Sequence, residues 1–437
     1  MLTIFVANHT NRIDYTFRLI FKDLLDIDFC ITSNKEEFAA NTGHKFSYGT
    51  HKISDEVFFK SSGLLESTGI QELDTEVSTY KNTAVLFPLY DASSALPFDP
   101  FAAAFYMATR YEEYLPYKAD KLGRFEAAAG IAHQQGFLQL PVVNLWAAII
   151  RDTLKNNYPE IPGPHRKFRF VPTYDIDIAY SYLYKGNTRS MAAAAKDLLK
   201  GNFRNLKERY DVLQGNKADP YDSYEFMFEL QEQYGLCANY FIHAGTWGKY
   251  DKSIAPETEP YASLLRKINS LAEIGIHPSW QSTEKPELIK QEIIRIEGVI
   301  GEPITQARQH FIKLKFPDTY RNFIAAGIID DYSMGFASDI GFRAGLCSSF
   351  FFYDLVEERE TKLRIHPFAI MEGSMKDYLN ISAAEALPVI EKIMKQVAAV
   401  GGTFITIFHN ESLGTSAKWA GWRNVYREMT EMANSLS

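Results

Sequence analysis

The chain has 437 residues, 46 % of them apolar and 23 % charged, a balance that excludes a disordered or collagen-like protein. Lys and Arg number 46 against 54 Asp and Glu, for a net charge of −8, which argues against non-specific binding to nucleic acid or anionic membranes. Cys30, Cys237 and Cys347 are too few and too scattered for a disulfide framework or a paired-cysteine metal site.

In chain order, a strand is predicted over Leu2–Ala7, then a helix near Asp14–Leu25 and short β-like pieces to Leu86–Leu89. The N-terminus lacks a basic leader and a cleavage site, so a cytoplasmic address is expected. Helices follow at Asp99–Tyr114, with Pro100 near its start, and Val142–Tyr158. The charged, aromatic run Arg110–Tyr114 reads as an exposed helix end. Ile161-Pro162-Gly163-Pro164-His165-Arg166 stops any helix or central strand, which puts a domain boundary near residue 162. Residues 1–162 thus form an N-terminal α+β accessory domain and 163–437 a second domain.

Beyond the boundary, strands alternate with helices: Phe168–Tyr174, Ala238–Ile242, Glu273–His277, Pro303–His310, Ile328–Asp330, Arg364–Ile370 and Thr403–His409. This pattern predicts an α/β fold, a (β/α) barrel of about seven strands, with an open doubly wound sheet as the alternative. No phosphate-cradling glycine motif is present. Lys185–Arg209, rich in basic residues and alanine, reads as a solvated helix in a long connection. No apolar run approaches the roughly 20 residues of a membrane span.

Chemistry in parallel barrels gathers at the C-terminal ends of several strands. Four such ends are unusually polar. Asp175 and Asp177 differ by two and can share a strand face, where a cation relieves their repulsion. His277 ends an apolar strand closed by Pro278; Arg308 and His310 again differ by two; His409 tips the alternating line Thr403, Ile405, Ile407. Together they are an inventory for metal-assisted hydrolysis.

At these residues the chain resembles the polysaccharide deacetylase (NodB-type, carbohydrate esterase) superfamily, over about residues 165–437, and within it bacterial two-domain members with an uncharacterised N-terminal domain. Leu96–Phe101, Arg110–Tyr114, Gly341–Gly345 and Phe352–Leu355 are similar to that subgroup. The resemblance implies a distorted barrel and removal of N- or O-acetyl groups from a glycan. It implies Asp175 as catalytic base, Asp177 and His277 as metal ligands, Arg308 as the partner of the base and His409 as general acid. Ile407 would line the acetyl-methyl pocket, Phe311 would lend an oxyanion N–H, and Asp331 would help hold the site. Trp280, Trp247, Tyr332 and Trp419 are candidate sugar platforms, and Arg343 and Asp354 candidate substrate contacts. The implied cofactor is a divalent metal, zinc foremost, and the implied partner an acetylated glycan, with no nucleic acid and no membrane span.

One departure matters. Gln281 stands where the family has its second metal-binding histidine. His310 as replacement ligand, a two-ligand site completed by water, and a protein that has lost metal and catalysis all remain open. The competing functions are a silent glycan-binding or scaffold protein and a glycoside hydrolase. For the latter, Asp175 and Asp177 lie too close and too parallel to flank a scissile bond.

Overall fold

The computed structural model describes residues 1–163 and 166–436; Pro164 and His165, within the predicted boundary, lie outside the described residues. The N-terminal part holds a parallel sheet of β1 (Leu2–Val6), β2 (Phe29–Thr32), β3 (Lys45–Gly49) and β4 (Val57–Lys60), in the order β2-β1-β3-β4. A hairpin, β5 (Val77–Tyr80) and β6 (Thr83–Leu86), follows. The first helix covers Asn11–Phe17, capped by the Thr10 side chain, and widens over Arg18–Leu24 into i→i+5 bonding, as in Leu25 N–H to Ile20 O at 3.1 Å.

The predicted helix Asp99–Tyr114 is shorter, Pro100–Ala108, with Asp99 accepting from the Phe101 and Ala102 N–H groups. It stops because Arg110 takes a left-handed conformation, φ 55°. The Arg110–Tyr114 run is not an exposed end. Arg110 is buried and binds Glu113, Glu112 and the Arg343 carbonyl, while Arg343 binds both Glu113 oxygens. This charged cluster fastens the N-terminal part to the second sheet. It also answers for Arg343, which is fully engaged here rather than at a substrate.

The second sheet contains β7 (Arg169–Ile176), β8 (Asn239–His243), β9 (Glu273–His277), β10 (Gln306–Ala307), β11 (Asp330–Asp331), β12 (Phe350–Asp354), β13 (Arg359–Ile365), β14 (Ile370–Met371) and β15 (Thr403–His409). Its order is β12-β13-β11-β10-β9-β8-β7-β15-β14. Only β12 and β13 pair antiparallel. The ladder has edges at β12 and β14, and no pairing joins them among the described residues. The α/β class therefore stands with a mostly parallel sheet; its two ends come near each other, since four residues link β13 to β14 and the Thr403 N–H donates to Cys347 O just before β12, but no ladder closes it into a complete barrel among the described residues. The predicted strand Arg364–Ile370 is really the end of β13 and, after a loop, the short β14.

The predicted solvated helix is a hairpin of Asn187–Leu199 and Phe203–Leu213, broken where Gly201 adopts φ +66°. One apolar core, including Ile4, Phe101, Trp146, Tyr240, Phe404 and Met429, runs through both parts of the chain. No helix among the described residues is long and apolar enough to cross a membrane.

Candidate active site

The C-terminal ends of β7, β8, β9 and β15 lie side by side. In the ladder Asp175 registers with His409 across β15, and His243 with His277 across β9. Close approach at β9 needs Gly275, since a Cβ there would meet the Phe241 ring at 2.6 Å. Asp175, Asp177, His277, His310, Phe311 and His409 share one cavity of about 260 Å³.

Asp175 is buried and its Oδ1 accepts from Arg308 Nη1 at 2.8 Å. Arg308 is fixed in turn by the Thr173 hydroxyl (2.7 Å) and the Tyr332 carbonyl (2.9 Å), with its guanidinium 4.4 Å from the Phe241 ring centre. The second Asp175 oxygen is left facing His277 Nε2 at 3.8 Å.

Asp177, a third exposed, gathers the histidines. Its Oδ1 lies 3.1 Å from His277 Nε2 and 3.6 Å from His310 Nε2, and its Oδ2 lies 3.8 Å from His409 Nε2. Burial opposes its charge, but the His310 imidazolium outweighs burial and holds its pKa well below the usual carboxylate range. His277 Nδ1 sits 2.7 Å from the Arg308 carbonyl, which can only accept, so the ring proton belongs on Nδ1 and Nε2 presents a lone pair. Burial lowers the His277 pKa in spite of Asp175 and Asp177, keeping that ring neutral. The lone pair meets Asp177 Oδ1, a buried oxygen with no hydrogen-bond partner. Two lone pairs aimed at one point are what a cation relieves. Metal bonds of about 2.0–2.2 Å at tetrahedral angles separate ligand atoms by roughly 3.3–3.6 Å, close to the spacings found here. Asp177, His277 and His310 therefore fit a divalent ion.

His310 is not on a strand, because β10 ends at Ala307. It lies in the turn that follows, where Phe311 and Ile312 take φ 58° and 52°. Its Nδ1 faces Asp251 Oδ1 at 3.5 Å. Burial would lower its pKa, but Asp177 and Asp251 raise it to about 9. Asp251 also accepts the Trp280 N–H at 2.9 Å and faces His243 Nε2 at 3.3 Å. Gln281 is exposed and outside the cavity lining.

His409 is braced by Glu372, whose Oε1 accepts both the His409 backbone N–H and its Nδ1, each at 2.8 Å. Burial would lower the His409 pKa, but Glu372 carries it well above the ordinary histidine value. Asp331 sits on the neighbouring side of the site. It is wholly buried, accepting from Ser333 N and Oγ and from the Tyr320 hydroxyl, while Ser333 Oγ accepts the Gln309 N–H. It holds the Arg308–His310 turn through Ser333 and is not part of this cavity's lining.

Ile407 is buried in one apolar cluster with Ile312, Ala337 and Met371, and those three line the cavity instead. Trp280 packs 4.4 Å from the Tyr250 ring, outside the lining, whereas Trp419 is part of it. Trp247 is exposed elsewhere, and Tyr332 stacks on His366 at 4.4 Å. Asp354 binds Arg321, far from the cavity lining.

Residues 2–159 match a family described only as a family of unknown function, DUF7033. No curated protein matches the chain. Among solved structures, a putative polysaccharide deacetylase from Mycobacterium smegmatis is 10 % identical over 63 % of this chain and 87 % of its own, with a TM-score of 0.41. The polysaccharide deacetylase Bc1974 from Bacillus cereus is 10 % identical over 61 % of this chain and 89 % of its own, at a TM-score of 0.29. BA3943, a CE4 family pseudoenzyme from Bacillus anthracis, is 8 % identical over 62 % of this chain and 63 % of its own, at 0.28. Likeness at this level carries no argument about activity; the site's residues must do so.

Glu372, Asp251 and His243 are functional candidates that the strand-end motifs do not reveal. Arg124 is another. It lies before the predicted boundary yet lines the cavity, donating to Asp120, the Phe311 carbonyl (3.0 Å) and the Tyr378 hydroxyl (3.1 Å).

Proposed function

We propose that the chain is a metal-dependent hydrolase that removes acetyl groups from an acetylated polysaccharide or oligosaccharide. The observation that carries this is one cavity in which an arginine-held carboxylate and a glutamate-held histidine flank the Asp177, His277 and His310 group. Those three residues would hold the ion, and a carboxylate with two imidazoles suits zinc. When bound, such an ion activates water and polarises the acetyl carbonyl.

The chain's own groups handle the protons. Arg308 keeps Asp175 ionised and aimed, and Asp175 takes the proton of the attacking water as its oxygen bonds to the acetyl carbon. The backbone N–H of Phe311, a residue that lines the cavity, would serve as the oxyanion donor. His409 delivers its Nε2 proton to the departing amine or alcohol as the acyl bond breaks, giving acetate. Ile312, Ala337 and Met371 form an apolar wall for the acetyl methyl.

The test is acetate release from acetylated chitin and xylan oligosaccharides by the metal-loaded chain. Asp175→Asn and His409→Ala should each cost roughly 10²–10⁴ in rate with metal still bound. Near-normal turnover by either variant, new reducing ends in place of acetate, or no metal uptake would each overturn the proposal.

A further inference from the structure

The hairpin between β7 and the helix Tyr224–Tyr234 wears its apolar side outward. Helix Asn187–Leu199 has no buried residue. Its exposed positions include Met191, Ala192, Ala195, Leu198 and Leu199, beside the polar Asn187, Thr188 and Lys196. The water-facing side is thus largely apolar toward the tip, unlike that of an ordinary surface helix. Leu198 is 57 %, Leu199 89 % and, across the turn, Phe203 67 % exposed. Met191 and Tyr210 extend the patch. Exposed apolar groups concentrated this way mark a contact surface.

A collar of cations surrounds that tip. Lys196, Lys200, Arg204 and Lys207 are all exposed. Among the described residues none of them is in an ion pair; of the hairpin's three acids, Asp197 binds Arg209 at 2.9 Å, Glu208 binds Lys217, and Asp211 leaves the cations in excess. The chain as a whole is acidic, at −8, so this local excess of positive charge runs against the rest of the molecule. Pairing the same face of a second copy would set these cations against their own kind. An anionic bilayer satisfies both features at once: apolar side chains enter the interfacial layer, and cations meet headgroups.

We propose that the hairpin Asn187–Leu213 is a membrane-surface contact, seating Leu198, Leu199 and Phe203 in an anionic bilayer under a ring of four cations. It stands apart from the hydrolase proposal, and neither falls with the other.

The experiment is co-sedimentation of the full chain with vesicles of phosphatidylcholine alone or mixed with phosphatidylglycerol. Binding is expected only to the mixed vesicles and should weaken with salt. Leu199→Asp with Phe203→Asp, and separately Lys196→Glu with Lys200→Glu, should each reduce partitioning roughly tenfold or more. These positions are exposed, and unchanged thermal melts will show that the fold is kept. Absence of wild-type binding, equal binding to neutral vesicles, or variants that bind like wild type would overturn it. So would a concentration-dependent dimer that Leu199→Asp abolishes while wild type ignores vesicles.

Discussion

Glu372→Gln separates a tuned acid from a merely packed histidine. Glu372 is wholly buried and offers one oxygen to two His409 N–H groups at 2.8 Å. Glutamine keeps the shape and an accepting oxygen but removes the charge. An opposite charge at such range moves a pKa by about 1–3 units, each unit being about 1.4 kcal/mol. With the carboxylate gone, burial works against the imidazolium, with Asp177, Asp175 and Glu411 left to oppose it. The His409 midpoint should therefore fall by about 1–3 units. A general acid is lost as pH rises through its pKa, so the high-pH limb of acetate release should move down by the same amount. The ring titration can be followed by NMR on isotope-labelled histidine, beside the pH–rate profile. If both midpoint and limb stay put, Glu372 does not tune His409 and the assignment of the acid fails.

Asp251→Asn should weaken zinc binding about 10–100-fold in chelator competition, because it removes the carboxylate facing His310; unchanged affinity would exclude that role. Glu113→Gln strips the carboxylate shared by Arg110 and Arg343, and a loss of about 3–5 kcal/mol is expected in urea denaturation. Asp331 is the pH-sensitive case. Burial lifts its carboxyl from 3.8 to about 6 against the pull of Ser333 and Tyr320. A raised folded-state pKa gives stability that is full below the unfolded value and is lost as pH rises through the folded one. Asp331→Asn should therefore gain on wild type by about 3 kcal/mol between about pH 4 and 7, and a flat difference in denaturation midpoints would refute the burial argument.

Asp175, Asp177, His277 and His409 were legible because polar groups at the tips of apolar strands stand out against the alternation behind them. His310 was legible as a ligand candidate, although the strand proposed to aim it ends at Ala307 and a left-handed turn at Phe311 does the aiming. Glu372 was hidden because it follows a strand of only two residues, Ile370–Met371, which has no period to read. Asp331, expected to help hold the site, reaches it through Ser333, whose hydroxyl donates to Asp331 and accepts the Gln309 N–H beside His310. Asp251 comes from the loop after β8, and no local signal ties it to residues far along the chain. Barrel and open sheet stayed alternatives because strand–helix alternation is common to both, and neither β12 nor β14 announces its neighbour. The Arg110–Tyr114 run looked like solvated charge because its partner, Arg343, is remote in sequence.

Asp175 and His409 are neighbours in one β ladder, whereas Arg124, Tyr378 and Trp419 reach the rim from elements outside it. The spacing between proton acceptor and proton donor is thus set by interstrand geometry, which few substitutions alter. The rim is free to drift. A lineage built on this scaffold can remodel its lips while the Asp175–His409 spacing is inherited intact.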